Sequence, residues 1–311
     1  MDNYKNFNHI KIHTQYSICE GALRINDLAE FCKKNKIKCV GLSDTTNLCG
    51  ALEFSENLSK IGTQPIIGTQ VNFKFVDQIG LLPLIATSEE SYKSIIEMSS
   101  NSYLKNDGMS EPHCNFKDLN AISKDIIILS GTVNGLVGKL FDKGLFNEVE
   151  EIYKFLKKCI NNNFYIEIQR HNDHNEKLFE EFNLEISKKL DIPIIATNEV
   201  FYLDKEMYEA HDALICIGNK TYINEKNRLK YSNQHYLKSD EEMKEIFSDL
   251  PEALENNYNL FYKCKFKPGS SKPVLPNISS DKGGDADQNL IDDSMTGLNE
   301  KFLKLFNIEE K

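Results

Sequence analysis

The run "HIKIHTQYSICEG", His9 to Gly21, places an imidazole, His13, near the end of a strand-like stretch and a carboxylate, Glu20, in the loop beyond it. Two residues before His13 stands Lys11, whose ammonium has no lone pair to give while protonated and repels a cation. Further along, Asp44 ends "GLSD", Gln70 lies within "IIGTQV", Ser130 and Thr132 follow "DIIIL", His171 follows "YIEIQR", and Asn198 and Glu199 close "PIIATNE". Imidazoles and carboxylates gathered at one rim supply lone pairs for Zn²⁺- or Mn²⁺-like ions. Such ions activate water and clamp phosphate oxygens for phosphoester hydrolysis. The donor set here is thin. Lys11, Thr45, Gln70, Thr132 and Phe201 stand among the strand tips, and of these Thr and Gln are weak neutral donors while Phe is none. His13, Glu20, Asp44 and Glu199 remain, enough for at most one weakly held divalent ion (Zn²⁺, Mn²⁺ or Mg²⁺), and no other cofactor is expected.

Each of these residues also has a structural reading. His13 can be a core histidine bonded to Thr14 or Ser17, and Asp44 can cap the turn that follows it. Glu199 can pair with Lys11 in a salt bridge standing where a metal would otherwise be held. His171 and His174 in "RHNDHNE" read as exposed loop histidines, and His211 in "EAHDALICIG" reads as structural.

To converge, such side chains need strands whose C-terminal ends share one rim. Candidate strands are 9–14, 38–44, 65–73, 80–86, 125–131, 163–169 and 193–200, most of them near-continuous in Ile, Leu and Val. That is the pattern of a parallel sheet covered by helices. Helical periodicity falls between them: "NDLAEFCKKNKI" with Asn26 or Asp27 as cap, "EESYKSIIEMSSNSYL" after Ser88, "NEVEEIYKFLKKCI", "NEKLFEEFNLEISKKL", and "KEMYEAHDALICIG" stopping at Gly218. Seven β/α alternations predict a parallel barrel or an open doubly wound sheet. Neither G-x-G-x-x-G after the first strand nor G-x-x-x-x-G-K-[ST] is present, so those two modes of nucleotide binding have no support. Beyond residue 239, Ser239 and Glu242 form a capping-box pattern that opens one or two surface-packed helices. A Pro-, Gly-, Ser- and Asp-rich linker follows from Pro268, and "MTGLNEKFLKLF" reads as a last short helix.

Composition narrows the class. At 311 residues, 40% apolar and 27% charged, the chain has material for one large α/β domain and a tail. Its apolar runs are too short to span a bilayer and no secretory h-region opens it, so a cytoplasmic, membrane-free protein is expected. A net charge of −10 disfavours nonspecific binding to the phosphate backbone. The eight cysteines form no C-x-x-C pair, and several, such as Cys32 and Cys216, fall among apolar helix positions as small core residues.

Taken together and in order, "HIKIHTQYSICEGA", "GLSDTTNLCGALEF", "QPIIGTQV", "IIILSGTVNG", "YIEIQRH" and "IIATNEVFYLDKEMYEAHDALICIG" resemble the N-terminal PHP (polymerase and histidinol phosphatase) domain of bacterial DNA polymerase III alpha subunits, and the likeness extends to "EALENNYNLFYKC". The resemblance implies an α/β fold, a distorted (β/α)7 barrel with its metal rim at the strand C-termini and a C-terminal helical and linker extension. It implies a PHP domain over 1–272, with the barrel at about 8–220 and packed helices at about 221–266, and 273–311 leading towards a polymerase palm that these residues do not contain. Against the family's H-x-H, D-H, G-x-E and N-D-x-H patterns, His13, Glu20 and Asp44 match ligands. Lys11 and Thr45 replace histidines, Gln70 a glutamate, Thr132 a cysteine, Glu199 an aspartate and Phe201 a histidine. The broken pattern implies a scaffold without catalytic residues rather than a working enzyme. Its implied partners are the remainder of the polymerase alpha subunit, the proofreading exonuclease subunit and the replisome, with DNA contacted mainly by regions outside this chain. The alternative is an active metal-dependent phosphoesterase or 3′–5′ exonuclease on the same fold.

Overall fold

The computed structural model describes residues 6–106, 108–122, 124–274 and 285–306, and the chain divides into two compact units, Met1–Gly269 and Ser270–Lys311. In chain order the first unit runs β1 (His9–Ile12), α1 (Ile25–Asn35), β2 (Cys39–Thr45), α2 (Ala51–Lys60), β3 (Gln64–Phe75), β4 (Gln78–Ile85), α3 (Glu89–Leu104), β5 (Cys114–Asn115), β6 (Ile127–Leu129), α4 (Leu136–Asp142), α5 (Phe146–Ile160), β7 (Phe164–Ile168), α6 (Glu176–Leu190), β8 (Ile194–Ala196), β9 (Glu199–Val200), α7 (Tyr208–Gly218), α8 (Asp240–Ile246) and α9 (Pro251–Leu260). The second unit contributes α10 (Ala286–Leu305).

Neighbouring strands pair in the order β8-β7-β6-β4-β3-β2-β1-β9, with β5 added beside β3. The two ends of that order, β8 and β9, are halves of one segment separated only by Thr197 and Asn198. β8 pairs with β7 and β9 with β1, both parallel, so this one broken strand closes the ring. The expected distorted β/α barrel is what the chain forms. One strand departs from the parallel pattern: β4 runs antiparallel to both β3 and β6. β3 and β4 are joined through Val76 and Asp77 alone, with Val76 at φ 53°. A two-residue link makes a hairpin, whereas a parallel crossover needs a dozen residues or more.

Alternation sorts the apolar side chains. Ile66, Ile127, Leu129, Tyr165 and Ile195 form one buried cluster, while their sequence neighbours Ile67, Ile128, Ile166 and Ile194 belong to clusters that include helix residues. The first cluster therefore fills the barrel and the others lie between sheet and helices. The helices expected after residue 239 are α8 and α9, which pack through Met243, Ala253 and Leu254 on the outer side, while Leu260 at the end of α9 and Cys264 beyond it join the inner cluster. Between β8 and β1, where strand pairing is interrupted, α9 supplies the missing hydrogen bonds. Asn257 Nδ2 donates to the carbonyls of Asn8 (2.9 Å) and Ala196 (3.0 Å), its Oδ1 accepts the Asn8 N–H (2.8 Å), and Asn256 Nδ2 donates to Ile194 O (2.8 Å).

Other local expectations change with the structure. α1 begins after Arg24 with no side-chain cap, so Asn26 and Asp27 lie inside its first turn. Gly218 is the last residue of α7 rather than a left-handed stop; a Cβ there would lie 2.6 Å from Cys19 Cβ. The Ser239/Glu242 capping box forms as expected. Cys32 and Cys216 are buried. α2 and α4 went unread because each is short and its apolar positions merge with the flanking strand or turn residues. α10 starts at Ala286, well before the expected "MTGLNEKFLKLF", and part of the expected linker, 275–284, lies outside the described residues.

Candidate functional site at the strand ends

Lys11 reaches the barrel interior through an irregularity in β1. His9 stands opposite Val40 and Ile12 opposite Leu42, so Ile10 and Lys11 together oppose Gly41. This is a β-bulge, which re-aims a side chain. Gly41 permits it: a Cβ at that position would lie 2.7 Å from Ile10 Cα. Lys11 is fully buried, its Nζ 3.1 Å from Glu167 Oε1 and 3.2 Å from Glu199 Oε1. Burial by itself would lower the lysine pKa, but the two carboxylates outweigh it and hold it above its ordinary value. Glu199 is held well below the usual carboxylate range: burial opposes this, and Lys11, His13 and Gln70 overcome it.

The remaining rim residues are bonded to one another. His13 Nε2 lies 3.0 Å from Glu199 Oε1 and its Nδ1 lies 3.2 Å from Ser17 Oγ, with Glu20 Oε2 at 3.7 Å from Nδ1. Burial pulls the His13 pKa down, yet Glu199 and Glu20 leave it raised. A protonated His13 donates Nε2–H to Glu199, so the Gln70 amide, 2.5 Å from the same oxygen, gives its hydrogen to Glu199 rather than to the ring. Thr45 Oγ1 donates to Glu20 Oε2. Asp44 accepts from Thr14 N (2.6 Å) and Ser17 Oγ (2.8 Å) on Oδ1 and from Thr14 Oγ1 (2.8 Å) on Oδ2. It thus ties down the loop after β1 rather than the turn after itself, and its burial raises its pKa despite those bonds. Phe201 packs its ring 4.5 Å from that of His13. Thr132 is set apart, its Oγ1 accepting the Asn134 N–H at 3.2 Å.

Glu167 is the residue that sequence reasoning missed. It lies in β7 between the inward Tyr165 and Gln169, and Gln169 Nε2 (2.9 Å) and Thr197 Oγ1 both donate to its Oε1. A lone carboxylate in an otherwise apolar strand was the available signal. His171 was also misjudged: it follows β7 in a loop, but only 1% of it is exposed. Its ring stacks on that of His235 at 4.1 Å, and the two flank the main chain of Glu199. His174 is exposed as expected, and His211 is structural, its Nε2–H donating to the Glu20 carbonyl at 2.9 Å.

The architecture is thus a β/α barrel with a buried polar centre at the C-terminal ends of its strands, the end at which barrels of this class carry their functional side chains. A family model described as PHP domain matches residues 9–171, from the first residue of β1 to just past β7. The chain belongs to the PHP domain family. Similar curated proteins are named DNA polymerase III subunit alpha. The one from Rickettsia conorii is 36% identical over 288 residues, covering 90% of this chain and 24% of that protein. Those from Borreliella burgdorferi (34% over 283 residues; 87% and 25%) and Caulobacter vibrioides (30% over 300 residues; 94% and 26%) are comparable. The chain spans about a quarter of the length of these relatives.

Proposed function

We propose that this chain is the N-terminal PHP domain of a replicative DNA polymerase III alpha subunit, with 1–272 as the domain and 273–311 as the passage to the rest. In this reading it acts as a cytoplasmic, catalytically inert scaffold that stabilises the polymerase and docks the proofreading exonuclease subunit. No helix among the described residues is long and apolar enough to cross a membrane, which agrees with it. The observation that carries the reading is the buried ammonium of Lys11 between Glu167 and Glu199. A cation with no lone pair occupies the centre where a multinuclear site would need donors. His13, Gln70 and Glu199 are bound to each other, and Asp44 to Thr14 and Ser17, so the donor set does not fit two or three metal ions. Polymerisation, proofreading and most contacts with DNA then belong to residues or subunits outside this chain.

The test is hydrolysis. Purified chain incubated with single-stranded DNA or a phosphate monoester in Mn²⁺ or Zn²⁺ is expected to give no turnover above a metal-free control. Turnover abolished by His13→Ala and by Asp44→Ala would overturn the scaffold reading in favour of an active phosphoesterase or 3′–5′ exonuclease. Docking is tested separately by co-elution of the chain with the exonuclease subunit.

A further inference from the structure

Behind the rim lies a second cluster, on the other side of the Glu199 main chain. A nitrogen from His171, a nitrogen from His235 and a carboxylate oxygen of Asp173 all lie within 4.8 Å of one another. Both histidines are 1% exposed. His235 Nδ1 is 3.1 Å from the Glu199 carbonyl oxygen, and because a carbonyl only accepts, Nδ1 carries the hydrogen. In the neutral ring Nε2 is then a lone pair, and it faces Asp173 Oδ2 at 3.2 Å. Two acceptors at that separation need a cation between or beside them. Asp173 Oδ1 is already anchored by the Ser232 N–H at 3.3 Å, which leaves Oδ2 as the free oxygen.

His171 presents the same arrangement. Its Nε2 accepts the Glu199 N–H at 3.2 Å and lies 3.0 Å from Asn198 Oδ1, which also accepts from Lys238 Nζ at 3.0 Å, while its buried Nδ1 has no hydrogen-bond partner. The nearest charged atom to Nδ1 is Glu176 Oε1 at 3.5 Å. In each ring one nitrogen is engaged outside the cluster, His235 Nδ1 by the Glu199 carbonyl and His171 Nε2 by the Glu199 N–H with Asn198 Oδ1 beside it, and the other nitrogen is turned into the cluster. Metal-ligating histidines are oriented in this manner. A proton on His235 would satisfy Asp173 alone; it would leave His171 Nδ1 orphaned beside a stacked imidazolium. A divalent ion satisfies all three.

We propose that His171, Asp173 and His235 bind one Zn²⁺-class ion, with Glu176 as a nearby fourth donor. Two imidazoles and carboxylate oxygens suit Zn²⁺ or Co²⁺ better than Mg²⁺. The site is structural: it joins the loop after β7 to the 232–236 segment and fixes the backbone on either side of Glu199. It uses none of the rim donors and does not depend on the scaffold reading.

The experiment takes the full chain, stripped with a chelator, and titrates it with Co²⁺ while following visible ligand-field absorption, then adds Zn²⁺. One equivalent of Co²⁺ with tetrahedral-type absorption, displaced by Zn²⁺ and accompanied by a rise in Tm, is expected. Asp173→Asn and His235→Ala should weaken binding by more than about 10-fold, since these are direct ligands. His13→Ala should leave it unchanged. Asp173→Asn is the informative variant: its amide can donate to His235 Nε2, so the fold, checked by circular dichroism, survives without the ion. Absence of Co²⁺ uptake overturns the proposal in favour of an Asp173–imidazolium ion pair. Uptake lost in His13→Ala but retained in Asp173→Asn overturns it by assigning the ion to the rim.

Discussion

Lys11 is the single residue on which the buried polar centre depends. Its charge is buried with two carboxylates within 3.2 Å, an arrangement whose desolvation cost is large and whose Coulombic return depends on every partner being present. Removing the ammonium leaves Glu167 without a counter-charge and Glu199 with His13 as its remaining one. Lys11→Met is therefore expected to lower unfolding free energy by about 3–5 kcal/mol. Adding Glu167→Gln should restore part of the loss, because it removes the carboxylate left without a counter-charge. Urea denaturation of the single and double variants measures both; a single-variant loss below about 1 kcal/mol would mean that Lys11 is not the counter-charge of this centre. The Lys11–Glu199 pair was legible in the sequence, because a lysine beside a histidine and a carboxylate across the barrel leave few other partners. Glu167 was not, since single-sequence patterning cannot tell which of seven strands will point a carboxylate at a given lysine.

At the scale of elements, strand identity and order were readable, and the connections were less so. Ile- and Val-rich runs announced every strand of the barrel wall, but the reversal at β4 hid in a two-residue link that carries no Gly and places Val76 in a left-handed conformation. The role of α9 was equally hidden. Its apolar spacing resembles that of any packed helix, while the information lies in Asn256 and Asn257, which substitute for a neighbouring strand at the β8–β1 seam. Asn257 is fully buried and serves three main-chain groups. A buried donor or acceptor left unpaired costs about 1–3 kcal/mol. Asn257→Leu, which keeps the branched shape and removes the amide, should thus destabilise by about 3 kcal/mol or more. The Asn8 N–H should also become the first amide of β1's neighbourhood to exchange with solvent. If Asn8 stays as protected as in the unaltered protein, the seam is held by something other than this side chain.

For the molecule as a whole, acid is the natural probe, because the fold buries histidines as neutral groups. Burial lowers the pKa of His9 to about 4 and that of His211 to about 4, against an ordinary 6.5, with the Lys238 carbonyl and the Glu20 carbonyl respectively accepting a ring hydrogen. A histidine depressed in the folded state contributes stability that is complete above the unfolded pKa and is lost as pH falls towards the folded one. His13 has the opposite sign: raised in the folded state, it contributes fully below 6.5 and loses that contribution only as pH rises through its folded value. It therefore adds no slope on the acid side. Glu199, held well below the ordinary carboxylate range, adds its own loss only below about pH 4.3. Between pH 6 and 5 His9 and His211 should each remove about 1 kcal/mol of unfolding free energy. His171, also depressed by burial, acts in the same direction, and Glu176, raised to about 7 by burial, offsets part of the loss because its protonation stabilises the fold as pH falls. Chemical denaturation at pH 7, 6 and 5 reads the net slope, and His211→Gln should make the loss between pH 6 and 5 smaller by about 1 kcal/mol while leaving the His9 share. A His211→Gln slope equal to that of the unaltered protein would mean that the His211 ring can be protonated within the native barrel, and that the Glu20 carbonyl facing it does not enforce the neutral form.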